Sequence, residues 1–205
     1  MTIRTGKQFI EGLRSPREVY VNGKRIEDVT TYPAFRRPID AIAKLYDLKH
    51  SPEFQEQLTY QHPTTGERYD ISYLLPTSRT DLIRKRNAYK IFAKANYGSM
   101  GRSPEFMNAF ATGLVASKKW FGLGGKQYEE NVQNYYEYVR NHDLFLTHAL
   151  GTPQTDRSKA SHQQQEEFLH LGIKEETSEG IIIRGAKQLA TMAPLTDEII
   201  IFPNG

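Results

Sequence analysis

Three stretches of the chain carry residue types that could do chemistry. In Tyr97-Gly98-Ser99-Met100-Gly101-Arg102-Ser103-Pro104 the glycines let the backbone turn and Pro104 opens a helix. That order sets the Arg102 guanidinium beside the free N–H groups of a helix N-terminus, an environment suited to an oxyanion, a phenolate or a phosphate. The same residues also describe an ordinary helix–turn–helix with a solvated arginine. In Leu144-Phe145-Leu146-Thr147-His148-Ala149-Leu150 a single histidine interrupts an apolar run. Taken alone it reads as a buried histidine with one hydrogen-bond partner. The third stretch, Thr152-Pro153-Gln154-Thr155-Asp156-Arg157, is a polar loop that alone would be a linker.

Other chemistries find little support. The six histidines (50, 62, 142, 148, 162 and 170) show no metal-ligand spacing and no acidic companions. With no cysteine there are no disulfides, thiolate metal sites, iron–sulfur clusters or cysteine nucleophiles, and a cytoplasmic protein is expected. Gly122-Leu123-Gly124-Gly125-Lys126 is neither a dinucleotide fingerprint nor a Walker loop, and it reads as a connection between helices.

These groups must be positioned by a chain of 205 residues, one large domain or two small ones by length. An aromatic share of 11% excludes disorder of the whole chain. The longest apolar runs, at 181–183 and 199–202, are far too short to cross a membrane. Met1-Thr2-Ile3-Arg4-Thr5-Gly6 has no apolar core, so no secretory signal is expected. A net charge of +3 is too small to argue for nucleic acid, which shows as a clustered basic stripe. The charge divides unevenly: residues 151–205 hold 5 basic and 8 acidic side chains, whereas 1–150 carry a net +6. The change falls at Gly151-Thr152-Pro153, where a boundary is expected between a helical domain over 1–150 and the beginning of a β domain over 151–205, an α+β chain.

Thr5 with Gln8 predicts a capped helix with Phe9, Ile10 and Leu13 inward. Asn22-Gly23 between alternating flanks predicts a hairpin. Pro38 is expected to open a helix with Ile39, Ile42, Leu45 and Tyr46 on one face, and 71–75 to form a short strand. A long helix is expected from Thr80 or Asp81, with Leu82, Ile83, Tyr89, Phe92 and Ala93 at helical spacing. Further helices follow Pro104 (Phe106, Phe110, Leu114) and run from about 126 to 140 (Tyr128, Val132, Tyr135, Val139). Residues 168–175, 180–184 and 198–202 are strand candidates, the first two separated by a turn at 176–179. Three such strands bury a face poorly, so the β domain is expected to be incomplete.

Several segments together resemble one family. Tyr97-Gly-Ser-Met-Gly-Arg-Ser-Pro-Glu-Phe106 is similar to the Tyr-Gly-x-Met-Gly-Arg-(Ser/Thr)-Pro-(Asp/Glu)-Tyr stretch of the oxygenase components of flavin-dependent 4-hydroxyphenylacetate 3-monooxygenases. Leu146-Thr-His-Ala-Leu-Gly-Thr-Pro-Gln-Thr-Asp-Arg157 resembles that family's Asn/Thr-His-Ala … Pro-x-x-(Asn/Asp)-Arg stretch. Glu179-Gly-Ile-Ile-Ile-Arg-Gly-Ala-Lys-Gln-Leu-Ala-Thr191 resembles its Gly-Ile-x-Val-x-Gly-Ala-(Lys/Arg)-x-x-Ala-Thr, and Val29-Thr-Thr-Tyr-Pro-Ala-Phe-Arg36 fits as well. The likeness spans nearly the whole chain in the right order.

The resemblance implies an acyl-CoA-dehydrogenase-like N-terminal helical domain followed by the start of a β-barrel-like middle domain, with a C-terminal helical bundle beyond the sequence given. It implies a homotetramer and a separate flavin reductase that delivers reduced FAD. Oxygen activated on the flavin is then attacked by the ortho carbon of a phenol. By position, Arg102 would stabilise negative charge on the activated oxygen or the phenolate. His148 would hydrogen-bond the phenol oxygen and contact the flavin, and Gln154, Thr155, Asp156, Arg157 and Thr191 match the flavin-holding positions. Phe106 departs from the pattern, standing where the family has a tyrosine that contacts substrate. Without that hydroxyl, either Arg102 and His148 suffice or the phenol is not 4-hydroxyphenylacetate. Two other readings are a truncated non-catalytic relic or helical interaction domain, and a 4-hydroxybutyryl-CoA dehydratase, against which the lack of cysteine counts.

Overall fold

The computed structural model describes residues 3–98, 103–156, 158–160 and 163–202. Two units divide the chain: Met1–Leu146 with Pro194–Asp197, and Thr147–Ala193 with Glu198–Gly205. The first is mostly helical, the second is built of strands and loops, and the α+β class holds.

In the helical unit, α1 (Gly6–Gly12) begins as its sequence predicts. The Thr5 side chain accepts from Gln8 N and the Gln8 side chain from Thr5 N, a complete capping box. Strands β1 (Val19–Val21) and β2 (Lys24–Ile26) pair through Asn22-Gly23, whose φ angles of 51° and 75° supply the tight turn. Helix α2 (Pro33–Leu48) starts five residues before the expected Pro38. Pro33 takes the first helical position, where a missing N–H costs nothing, and Pro38 is carried inside the second turn. The predicted inward face is correct, with Ile39, Ile42, Leu45 and Tyr46 buried.

A short helix α3 (Gln55–Leu58) leads into a hairpin of β3 (Thr59–Gln61) and β4 (Arg68–Asp70), which sequence reading missed. The strand expected at 71–75 is a 3-10 turn, Ile71–Tyr73. Asp70 caps it by accepting from Ser72 N at 2.8 Å and Ser72 Oγ at 2.5 Å. Ile71, Ser72 and Tyr73 are all buried, so these three owe their composition to enclosure rather than to alternation, while Leu75 is exposed.

Helix α4 (Arg79–Ala95) is capped by Ser78 with Asp81. Its inward residues are Lys85, Ala88 and Phe92, whereas Leu82 and Ile83, expected on the apolar face, are exposed. Lys85 takes the inward position because its ammonium reaches two carbonyls, Ser72 O at 2.9 Å and Leu74 O at 2.7 Å. Helix α5 (Pro104–Ala116) buries Met107, Asn108, Ala111, Thr112 and Val115; α6 (Lys118–Phe121) and a 3-10 turn (Gly122–Gly124) lead to α7 (Lys126–His142), which buries Tyr136 and Val139. The core centres on Phe9, stacked on Tyr46 at 5.2 Å and edge-on to Phe145 at 5.9 Å.

Residues 194–197 complete this unit. The Arg4 guanidinium pairs with Asp197 at 2.6 Å, and Arg17 Nη1 donates to the carbonyls of Pro194 and Thr196. Leu195 is buried.

In the second unit, β5 (Leu146–Ala149) pairs with β8 (Glu198–Ile201). Strands β6 (Gly172–Thr177) and β7 (Gly180–Arg184) form an antiparallel hairpin with an irregularity between Ile173 and Glu175. β6 starts four residues later than expected; Phe168, read as its first residue, lies before it with the Arg184 guanidinium 5.6 Å over its ring. Among the described residues no helix is long and apolar enough to cross a membrane.

Candidate functional site

Arg102 and Arg157 lie outside the described residues. The helix that Arg102 precedes is described. Ser103 is its N-cap residue, Pro104 fills its first turn, and Phe106 is about half exposed on that turn. The Ser103 hydroxyl donates to Glu105 Oε1, and Glu105 Oε2 is buried with no partner among the described residues. Burial raises the Glu105 carboxyl above its ordinary range, against the lowering effect of the Ser103 hydrogen bond.

His148, Gln154, Thr155, Asp156 and Thr191 all belong to the second unit. His148 is buried on β5, with the Phe202 ring edge-on at 6.3 Å. The preceding residue, Thr147, donates its hydroxyl to the carbonyl of Thr191 at 2.6 Å. Thr191 is exposed between two residues of left-handed backbone near it, Leu189 (φ 59°) and Met192 (φ 66°). The loop after β5 returns to the same unit, where Gly151 bridges to Gln188 and Gln188 N donates to Gly151 O at 2.9 Å.

Along that loop Gln154 is exposed and Thr155 half-buried, its Oγ1 lying 3.3 Å from His170 Nε2. The Asp156 carboxylate accepts from Ser158 Oγ at 2.6 Å and Ser158 N at 3.0 Å and pairs with Lys159 at 3.5 Å. The Ser158 hydroxyl, then its N–H, hold this carboxyl below its ordinary range. Gln164 Nε2 fixes the loop by donating to the carbonyls of Asp156 and Lys159.

Sequence reading missed a buried charge cluster in the helical unit. Lys49 Nζ lies 2.5 Å from Asp143 and 3.1 Å from Asp70, all three almost fully buried. Burial pushes the Lys49 ammonium down, but Asp143 and Asp70 more than offset it and its pKa is raised. One signal was available: position 49 continues the inward period of Ile42, Leu45 and Tyr46 on α2. Lys85 was missed as well; burial pulls its pKa down to about 8, against the pull of Asp70. His170, which the sequence places in a strand candidate and outside any metal-ligand spacing, is instead a neighbour of Thr155. No group of side chains suited to a metal ion occurs among the described residues.

Compared with known proteins, residues 5–205 match the family model described as 4-hydroxyphenylacetate 3-hydroxylase N terminal. The chain therefore belongs to that family. It is 42% identical over 202 residues to the 4-hydroxyphenylacetate 3-monooxygenase oxygenase component of Thermus thermophilus, covering 98% of this chain and 40% of the relative. It is 39% identical to the oxygenase component of the same name from Geobacillus sp., covering all of this chain and 41% of the relative. The chain thus spans about two fifths of the length of these relatives. Among solved structures, the oxygenase component (HpaB) complexed with FAD and 4-hydroxyphenylacetate superposes with a TM-score of 0.90 at 42% identity, covering 98% of this chain and 41% of that one. An archaeal 4-hydroxybutyryl-CoA dehydratase shares the fold alone, with a TM-score of 0.83 at 24% identity over 98% of this chain and 40% of that one.

Proposed function

We propose that this chain supplies the N-terminal helical domain, up to about residue 150, and the first strands of a barrel-like middle domain in an acyl-CoA-dehydrogenase-like aromatic hydroxylase. The enzyme hydroxylates a phenol ortho to its hydroxyl, using oxygen and reduced FAD delivered by a separate flavin reductase. The reading is carried by three ordered motifs, at 97–106, 146–157 and 179–191, in a chain whose family match covers residues 5–205.

Bound reduced FAD would supply the electrons that activate oxygen. The residues present fit such a group. Gln154 and Thr191 offer exposed neutral donors and Thr155 a partly exposed hydroxyl, which suit a flavin ring and a diphosphate. Asp156 already has its charge met by Ser158 and Lys159, so it adds little repulsion toward an anionic dinucleotide. Arg157 completes the set.

His148 sits in a dry setting, where a hydrogen bond to a phenol oxygen is stronger than in water and tunes its ionisation. Arg102 would supply a guanidinium that stays protonated to stabilise developing negative charge. Phe106 gives the substrate an apolar wall without the hydroxyl of the family pattern, which favours a phenol other than 4-hydroxyphenylacetate. The working enzyme is a cytoplasmic homotetramer that engages neither nucleic acid nor membrane.

The test is titration of the purified chain with anaerobically reduced FAD, followed by oxygen, read by flavin absorbance. Saturable binding, with an oxygen-dependent spectral change lost in Arg102→Ala, is the expected result. A chain with a folded circular dichroism spectrum and no flavin binding would overturn the reading for these residues and leave a relic or an interaction domain.

A further inference from the structure

His170 has an unusual pair of ring environments. Nε2 lies 3.3 Å from Thr155 Oγ1, whereas Nδ1 is buried with no partner among the described residues. The backbone at His170 is held by a neighbouring segment. His170 bridges to Ala186, and Gly185, at φ 122°, packs so closely on the His170 carbonyl that a Cβ there would overlap it.

A neutral imidazole has one N–H and one bare nitrogen. A buried N–H without an acceptor is costlier and rarer than an unused lone pair. Among the described residues Nδ1 meets no acceptor, which favours the tautomer with the proton on Nε2, and Nε2–H then donates to Thr155 Oγ1. A hydroxyl that accepts on one lone pair keeps its own hydrogen free to rotate away from the donor. Thr155, half-buried, is then left to donate outward.

We propose that His170 is a positioning residue for the flavin: by donating to Thr155 Oγ1 it turns the Thr155 hydroxyl into a donor aimed at an acceptor atom of the bound dinucleotide. This rests on the reading of Thr155 as a flavin-holding residue. His170 does not touch the flavin, and its effect passes through Thr155 alone.

The test combines binding of reduced FAD to the full chain with the ring-nitrogen NMR spectrum of the flavin-free chain. His170→Phe is expected to weaken binding about two- to tenfold, the worth of one hydrogen bond. His170→Gln, whose amide can donate from the place of Nε2, is expected to restore it, and His170→Asn is not. Thr155→Val should match His170→Phe, and the double variant should lose no more than either single one. Circular dichroism checks that each variant folds. The nitrogen spectrum should show a protonated Nε2 and a bare Nδ1, with the Nε2 signal shifting in Thr155→Val. Binding by His170→Phe equal to wild type, loss by His170→Gln as large as by His170→Phe, or a proton on Nδ1 would each overturn the proposal. If the wild-type chain binds no flavin, the functional reading fails separately, and the nitrogen spectrum still decides whether His170 orients Thr155.

Discussion

The hydroxyl of Thr147 donates to the carbonyl of Thr191 at 2.6 Å, joining the strand that carries His148 to the end of the last sequence motif. Two residues separated widely in sequence, each within a stretch that carries the family resemblance, are thus held by one buried donor between them. Replacing Thr147 by valine keeps the shape and removes the donor. The expected cost is about 0.5–1.5 kcal/mol of stability, with weaker binding of reduced FAD. Thr147→Ser should behave as wild type. Thermal melts and a flavin titration on both variants check this, and equal behaviour of the two would contradict it.

The buried triad of Lys49, Asp70 and Asp143 makes a second prediction. Lys49→Met leaves two carboxylates enclosed without their cation, and a loss of about 3–5 kcal/mol is expected in denaturant unfolding. Adding Asp70→Asn and Asp143→Asn should recover part of that loss. A single variant as stable as wild type would show that the cluster contributes nothing net.

Glu105 gives the chain a pH dependence. Because burial raises its carboxyl, the native state keeps a proton that the unfolded chain has already released. Its contribution to stability is full below the ordinary carboxyl range and is lost as pH rises through the raised value. Glu105→Gln should flatten this part of the curve. Melting temperatures of both proteins from mildly acidic to neutral pH test it, and parallel curves would contradict it.

Gly185 and Gly180 form a controlled pair. Both have positive φ (122° and 144°), but a Cβ at Gly185 meets the backbone of His170, whereas at Gly180 it meets open space. Gly180→Ala should cost only backbone strain, about 1–3 kcal/mol, and Gly185→Ala distinctly more. Hydrogen exchange in the β6–β7 hairpin separates the two.

The sequence revealed what short-range chemistry controls. The Thr5 cap, the Asn22-Gly23 turn and the helix after Pro104 each depend on a few neighbouring residues, and each is where those residues predict it. The misplacements came from tertiary context. The helix expected to open at Pro38 opens instead at Pro33, and Ile71–Tyr73, expected within a strand, is a 3-10 turn whose burial imitates β composition. Lys49 and Lys85 were missed because a buried cation makes sense only with its distant partners: Asp143, 94 residues on, for Lys49, and two carbonyls of another turn for Lys85. In the candidate site, the motif residues stand out through family resemblance, but the Thr147–Thr191 and Thr155–His170 links do not, since each joins segments far apart along the chain with no shared pattern.

The return of Pro194–Asp197 to the helical unit bears on how the chain is made. A ribosome finishes Leu146 and must then translate Thr147–Ala193 before Leu195 and Asp197 exist, roughly 2–10 s at ordinary elongation rates. Throughout that interval Arg4 awaits Asp197, Arg17 awaits the carbonyls of Pro194 and Thr196, and the place later taken by Leu195 is open. The nascent helical unit is therefore exposed to chaperones and proteases for a time set by the codons of the inserted stretch. Synonymous changes between residues 147 and 193 should alter the yield of folded chain without altering one amino acid of it.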